Sequence, residues 1–164
     1  MFSRIIKVLK ALNSSQRPWQ ISVALVLGAV AGLTPLLSLH NLVVLLLAFF
    51  ININFSMFLL SLAGCTLFAF ALDPLFHQIG YGLLTAEGLQ GFWTQFFSCP
   101  VFLLGNLNNT LVMGSLVVSL GLGIPLIFVL NKMVVKYRLA FNGLIDRIPF
   151  LKFLKIPDTV ESAA

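Results

Sequence analysis

Charge is what this sequence has least of. Only 9% of its 164 residues are charged, against about 25% in an average soluble domain. Between Arg17 and Lys132 the only formal charges are Asp73 and Glu87. A soluble globular domain is excluded on that ground, because nothing would solvate so long a middle. Cysteine is nearly absent as well. Cys65 lies in an apolar run and Cys99 precedes Pro100, which is not metal-ligand spacing and does not suggest a disulfide pair. The chain also has no Gly-rich phosphate loop and no nucleophile motif. With two histidines and five acids in all, it offers no catalytic constellation, metal site or cofactor site, and it is not expected to be an enzyme.

What is present is apolar. Hydrophobic residues make up 59% of the chain, and the uncharged middle is long enough for several spans of about 20 residues each. All ten Lys and Arg fall in two blocks, Arg4 to Arg17 and Lys132 to Lys155. Cations that flank apolar spans follow the positive-inside rule better than they fit nucleic acid. Both termini are therefore expected in the cytoplasm, with an even number of crossings. Ala29-Val30-Ala31 has the look of a signal-peptidase site, but apolar sequence continues past Pro35 to Phe50, so cleavage is not expected.

The stretch from Arg17 to Asn41 organises the rest. Pro18 suits the first turn of a helix. Ala24, Gly28 and Gly32 then recur every fourth residue and place three small residues on one face, where another helix can approach closely in lipid. Ser115, Ser119 and Gly123 repeat that spacing in the last long apolar run, so the two faces are expected to dock on each other. Thr34 and Pro35 interrupt the first apolar run. His40 and Asn41 follow within the next one as candidate functional polar groups, for proton relay or head-group contact.

The expected fold is an all-α integral membrane protein forming a single domain over 1–164. It has about four transmembrane or re-entrant helices, with amphipathic interfacial helices at both ends and on the periplasmic side. Residues 1–16 read as a basic amphipathic helix at the interface. Residues 18–72 hold three apolar helices, over 19–34, 36–50 and 55–72. The first two are short against the hydrocarbon thickness. Either both cross, which is the preferred expectation, or they form a re-entrant hairpin dipping in from the cytoplasm. Asn52 and Asn54 are expected to terminate helices.

Asp73-Pro74 is expected to start a new surface helix, and Asp73 and His77 are spaced to share its face. Residues 73–100 form a periplasmic interfacial segment whose Phe92, Trp93, Phe96 and Phe97 make an aromatic, cation-free face. The last span lies within 101–131, loosened by Gly121, Gly123 and Pro125. A basic amphipathic cytoplasmic segment follows over 132–156.

Arg17-Pro18, the Ala/Gly run to Gly32, and Gly-Leu-Thr-Pro at 32–35 resemble a family of small bacterial inner-membrane proteins of unknown function. That family's pattern continues with a polar pair, here His40-Asn41, an Asn in the next loop, here Asn52 or Asn54, and an Asn-Pro, here Asp73-Pro74. The Asp departs from the family. The resemblance covers about residues 17–80 and implies no activity of its own. Its subgroup of this length is associated with a larger envelope protein. It thus implies a multi-pass inner-membrane accessory subunit whose partners are the lipid bilayer, that envelope protein and phospholipid, with no nucleic acid, in a role consistent with lipid transport between membranes. The rival reading is a small oligomeric transporter or channel with a path near His40 and Asn41.

Overall fold

The computed structural model describes residues 17–146, with side chains to residue 140. The amphipathic helix expected over 1–16, and the part of the basic segment beyond residue 146, lie outside the described residues. Within them the chain is helical and has no strand. Its elements are α1 (Pro18–Leu33), α2 (Leu39–Phe50), α3 (Phe55–Thr85), a 3₁₀ turn (Glu87–Leu89), α4 (Gln90–Phe96), α5 (Pro100–Leu104) and α6 (Thr110–Asp146).

Local chemistry sets most boundaries. Pro18 opens α1, where a missing N–H costs nothing. Thr34 is extended (φ −97°, ψ 156°), as the residue before a proline must be. Asn54 caps α3, its Oδ1 accepting the Met57 N–H at 3.1 Å. Asn109 caps α6 in the same way, accepting from the Leu111 N–H at 2.9 Å. The turn before it places Asn106 at φ 54°, a left-handed position that asparagine tolerates well.

Two helices are long and apolar enough to cross a membrane, α3 and the Thr110–Ala140 part of α6. Only 11% and 33% of their apolar windows are buried within the protein, so neither behaves as the core helix of a soluble fold. The other apolar helices, α1 and α2, have 16 and 12 residues, or about 24 Å and 18 Å at 1.5 Å per residue.

Two expected boundaries fall. α3 does not stop at Asp73-Pro74; it runs 31 residues with Pro74 inside it. The proline removes one backbone hydrogen bond, whereas ending the helix there would expose several backbone groups amid apolar side chains. Phe76 and Gly80, both buried against α6, hold the second half in line. Nor is there a break between the last span and the basic segment. α6 is one helix of 37 residues through Gly121, Gly123 and Pro125, and it carries Lys132, Lys136 and Arg138 itself. Residues 100–104 belong to α5, separated from α6 by the turn at 105–109.

The core is built round α1. Its Ile21, Ala24, Val30 and Ala31 pack with Val44 and Ala48 of α2, Met57 and Phe58 of α3, and Val134 of α6. α1 and α3 run parallel, since Ser61 bonds Leu25 while Thr66 lies against Gly32. α6 runs antiparallel to both, with Gly114 on Phe76 and Gly123 on Val26. Gln20 Nε2 donates to the Asn52 carbonyl at 2.7 Å, which ties the start of α1 to the end of α2. These two helices therefore make a hairpin whose turn, residues 34–38, points toward the far end of α3.

Charge is polarised along this bundle. Arg17, Lys132, Lys136 and Arg138 gather at the end where α1 begins, and Asp73 and Glu87 lie toward the other. From Phe55 to His77 along α3, and from Lys132 to Thr110 along α6, the distance is about 33 Å in each case. The hairpin, at about 24 Å, ends short of that.

Candidate functional site

The hairpin turn is where polar groups converge inside the apolar bundle. Thr34 Oγ1 donates to the carbonyl of Val30 and lies 2.9 Å from Asn41 Oδ1. Asn41 Nδ2 donates to the carbonyls of Ala31 and Pro35, both at 3.1 Å. Ser38 Oγ donates to the Pro35 carbonyl at 2.7 Å and lies 3.0 Å from His40 Nε2. Thr34 and Asn41 are both buried. Asn41 thus serves as an external cap for α1: its amide satisfies carbonyls that the helix end leaves open. His40 is half-buried, and its Nδ1 is enclosed without a hydrogen-bond partner.

Apolar cavities flank the turn on two sides and share Leu36 and Leu37 as walls. One, of about 450 Å³, is lined by Ser38, Asn41, Leu42 and Leu45 with Phe58 and Leu62 of α3. The other, also about 450 Å³, lies between the turn and the far end of the bundle, bounded by Thr66, Ala69, Phe70 and Asp73 of α3 and Leu111 of α6. Asp73 and His77, spaced to share a face, are not hydrogen-bonded to each other. Asp73 lines the cavity, while His77 Nδ1 reaches Thr110 Oγ1 of α6 at 2.7 Å.

The small-residue faces are placed differently from the expected mutual docking. A Cβ on Gly28 would strike Phe58 O and Ser61, and one on Gly32 would strike Leu62 O and Cys65, all on α3. Gly123 instead approaches Val26 Cγ1 of α1 at 3.1 Å from where its Cβ would be. Ala24, Ser115 and Ser119 are buried, with both serine hydroxyls bonded back to their own helix, at Leu111 O and Leu116 O. α1 carries small residues on more than one face, so spacing alone does not choose the neighbour. Of the loop asparagines, Asn54 caps α3 and Asn52 offers its backbone carbonyl to Gln20.

At the acidic end the aromatic residues form a layer of their own. Phe96 stacks on Phe102 of α5 with centroids 3.9 Å apart, and Trp93 stacks on Phe97 at 5.7 Å. Trp93 Nε1 donates to the Leu83 carbonyl at 2.9 Å, tying α4 to the end of α3. Trp93, Phe96 and Phe97 are thus half-buried within the layer. Phe92, 54% exposed, is the ring that faces outward.

Sequence reasoning missed three features. Gly80 meets α6 at Gly114, and neither glycine belongs to the small-residue faces singled out in the sequence. Arg138 is fully buried at the basic end, one helical turn beyond the buried Val134, while Lys136 lies exposed on another face. Among the described residues no three His, Cys, Asp or Glu converge as a metal site, and both cysteines are free.

A family model described as "uncharacterized protein conserved in bacteria" (DUF2062) matches residues 5–140. No curated protein and no solved structure matches the chain.

Proposed function

The chain belongs to this uncharacterized bacterial family, and from that premise we propose that it is a non-enzymatic accessory subunit of the bacterial inner membrane. α3 and α6 cross the membrane, and the α1–α2 hairpin dips in from the basic face without crossing. The basic end faces the cytoplasm, where Arg17, Lys132 and Lys136 each contribute about 1 kcal/mol against anionic lipid. Its task is to hold a transmembrane helix of a larger envelope protein, the partner implied by the resemblance of residues 17–80.

The observation that carries this reading is the one-sidedness of α2. Asn41, Val44 and Ala48 form its single buried stripe, turned toward α1. Leu42, Val43, Leu46, Phe49 and Phe50 are exposed on the rest of its surface. α2 carries no charge and is too short to cross alone, so an apolar helix laid beside it is the complementary neighbour. Phe92 offers a second contact at the periplasmic face.

One observation favours the rival transporter or channel, namely the enclosed and unpartnered Nδ1 of His40. Against it, the Asn41 amide is committed to carbonyls of its own hairpin, which leaves it nothing to offer a passing solute.

A photo-crosslinking residue at Phe49, and another at Phe92, tests the proposal in intact cells at native abundance. An adduct with one larger envelope protein is expected at both positions. Adducts with lipid alone would rule the subunit reading out, and solute uptake by proteoliposomes of the purified chain would put the transporter in its place.

A further inference from the structure

The cavity beyond the hairpin turn has a chemistry that selects its occupant. Its wall is apolar nearly throughout, with Leu33, Leu36 and Leu37 of the hairpin on one side and Ala69, Phe70 and Leu111 on the other. The two hydroxyls on the wall are already spent. Thr66 Oγ1 donates to the Leu62 carbonyl at 2.8 Å, and Thr34 Oγ1 to the Val30 carbonyl at 2.9 Å.

That leaves the Asp73 carboxylate as the polar side-chain group of the lining with an unmet need. It is half-buried and makes no hydrogen bond or ion pair among the described residues. Asp73 lies about 27 Å along α3 from Phe55, close to the level of His77 and Thr110 where the bundle's apolar length ends. No Lys or Arg occurs between Arg17 and Lys132, so nothing within that stretch can neutralise it. A carboxylate at the edge of a low-dielectric layer costs free energy until a cation or donors reach it.

We propose that this cavity binds one phospholipid whose headgroup carries an ammonium, as ethanolamine lipids do. An acyl chain fills the space over the turn, and the ammonium pairs with Asp73. Depth supports the assignment as well as charge. The hairpin is about 9 Å shorter than the apolar length of α3 and α6, so the space above its turn lies at the depth of lipid chains and not of water. A charge-assisted contact of this kind discriminates by roughly tenfold or more between a headgroup that has the cation and one that does not. The site rests on the chain lying in a membrane and is independent of the envelope partner.

The test uses the full chain in bilayer discs containing equal amounts of phosphatidylethanolamine and phosphatidylglycerol. Lipid that stays bound after transfer to detergent is identified by native mass spectrometry. One phosphatidylethanolamine per chain is expected, retained about tenfold over phosphatidylglycerol. Asp73→Asn should bring the two lipids to equal retention with the melting temperature unchanged. Ala69→Phe, which fills the cavity, should abolish retention of both. Free ethanolamine should fail to displace the lipid, since the acyl chain supplies part of the binding. Equal retention of the two lipids by the wild-type chain overturns the proposal. So does an unaltered preference in Asp73→Asn, which decides the matter even if Ala69→Phe does not fold. Alkaline extraction of native membranes checks insertion separately, so a failure of the membrane reading is distinguishable from a failure of the lipid site.

Discussion

Gly80 of α3 and Gly114 of α6 meet backbone to backbone. A Cβ on Gly80 would fall on the carbonyl of Thr110, and one on Gly114 on the carbonyl of Phe76. Between helices in lipid there is no hydrophobic drive, so this closeness is what dispersion and short main-chain contacts require. The crossing also sets the His77–Thr110 hydrogen bond beside it.

Alanine at Gly80 or Gly114 should therefore lower stability by about 1–3 kcal/mol, because main chain cannot move aside as a side-chain tip can. Gly82 and Gly121 have open space where a Cβ would go. Alanine there should be neutral or stabilising by up to about 1 kcal/mol. Thermal unfolding in detergent separates the two pairs, and similar gains at all four positions would show that helix propensity and not packing governs them.

Gly28 and Gly32 face the α3 main chain from Phe58 to Thr66. Leucine at either should reduce the yield of folded protein sharply, since α1 is the centre of the core. Leucine at Gly64, which has nothing within 4 Å of its Cβ position, is the control and should fold normally. The hydroxyl of Ser61, which donates to the Leu25 carbonyl at 2.6 Å in the same seam, should matter less. Ser61→Ala is expected to cost about 0.6 kcal/mol, the average for such bonds between membrane helices.

The turn of the hairpin should depend on Asn41 more than on His40. Asn41→Leu strands the carbonyls of Ala31 and Pro35 in an apolar setting, at about 1–3 kcal/mol. His40→Ala loses one half-buried contact to Ser38 and should leave unfolding nearly unchanged. A larger loss from His40→Ala than from Asn41→Leu would reverse this assignment.

Depth and orientation can be read by labelling. With Cys65 and Cys99 replaced by Ser, a cysteine at Leu37, which is fully exposed on the turn, should resist a membrane-impermeant maleimide from either face and react once the membrane is dissolved. Labelling from the periplasm would show that the hairpin crosses. Alkaline phosphatase fused at Thr94 should be active and fused at Glu161 inactive; high activity at Glu161 would invert the topology.

The helical class was fixed by composition, because a long uncharged apolar middle can satisfy its backbone only internally. The central place of residues 17–41 was also legible, since the small residues at 24, 28 and 32 mark a face that must be covered. The start at Pro18 was legible because the first turn of a helix is local chemistry, whereas Asn54, expected to end a helix, begins one as the cap of α3. Tertiary structure decided the rest. Pro74 and Pro125 stay inside helices because α3 and α6 brace each other across Gly80 and Gly114, a long-range contact that outweighs a local breaker. Which helix covers Gly28 and Gly32 is a matter of three-dimensional competition among several small-residue faces, and α3 won. Asp73 is a cap by its sequence and a cavity wall by its structure, because the short hairpin beside it leaves space that only folding creates.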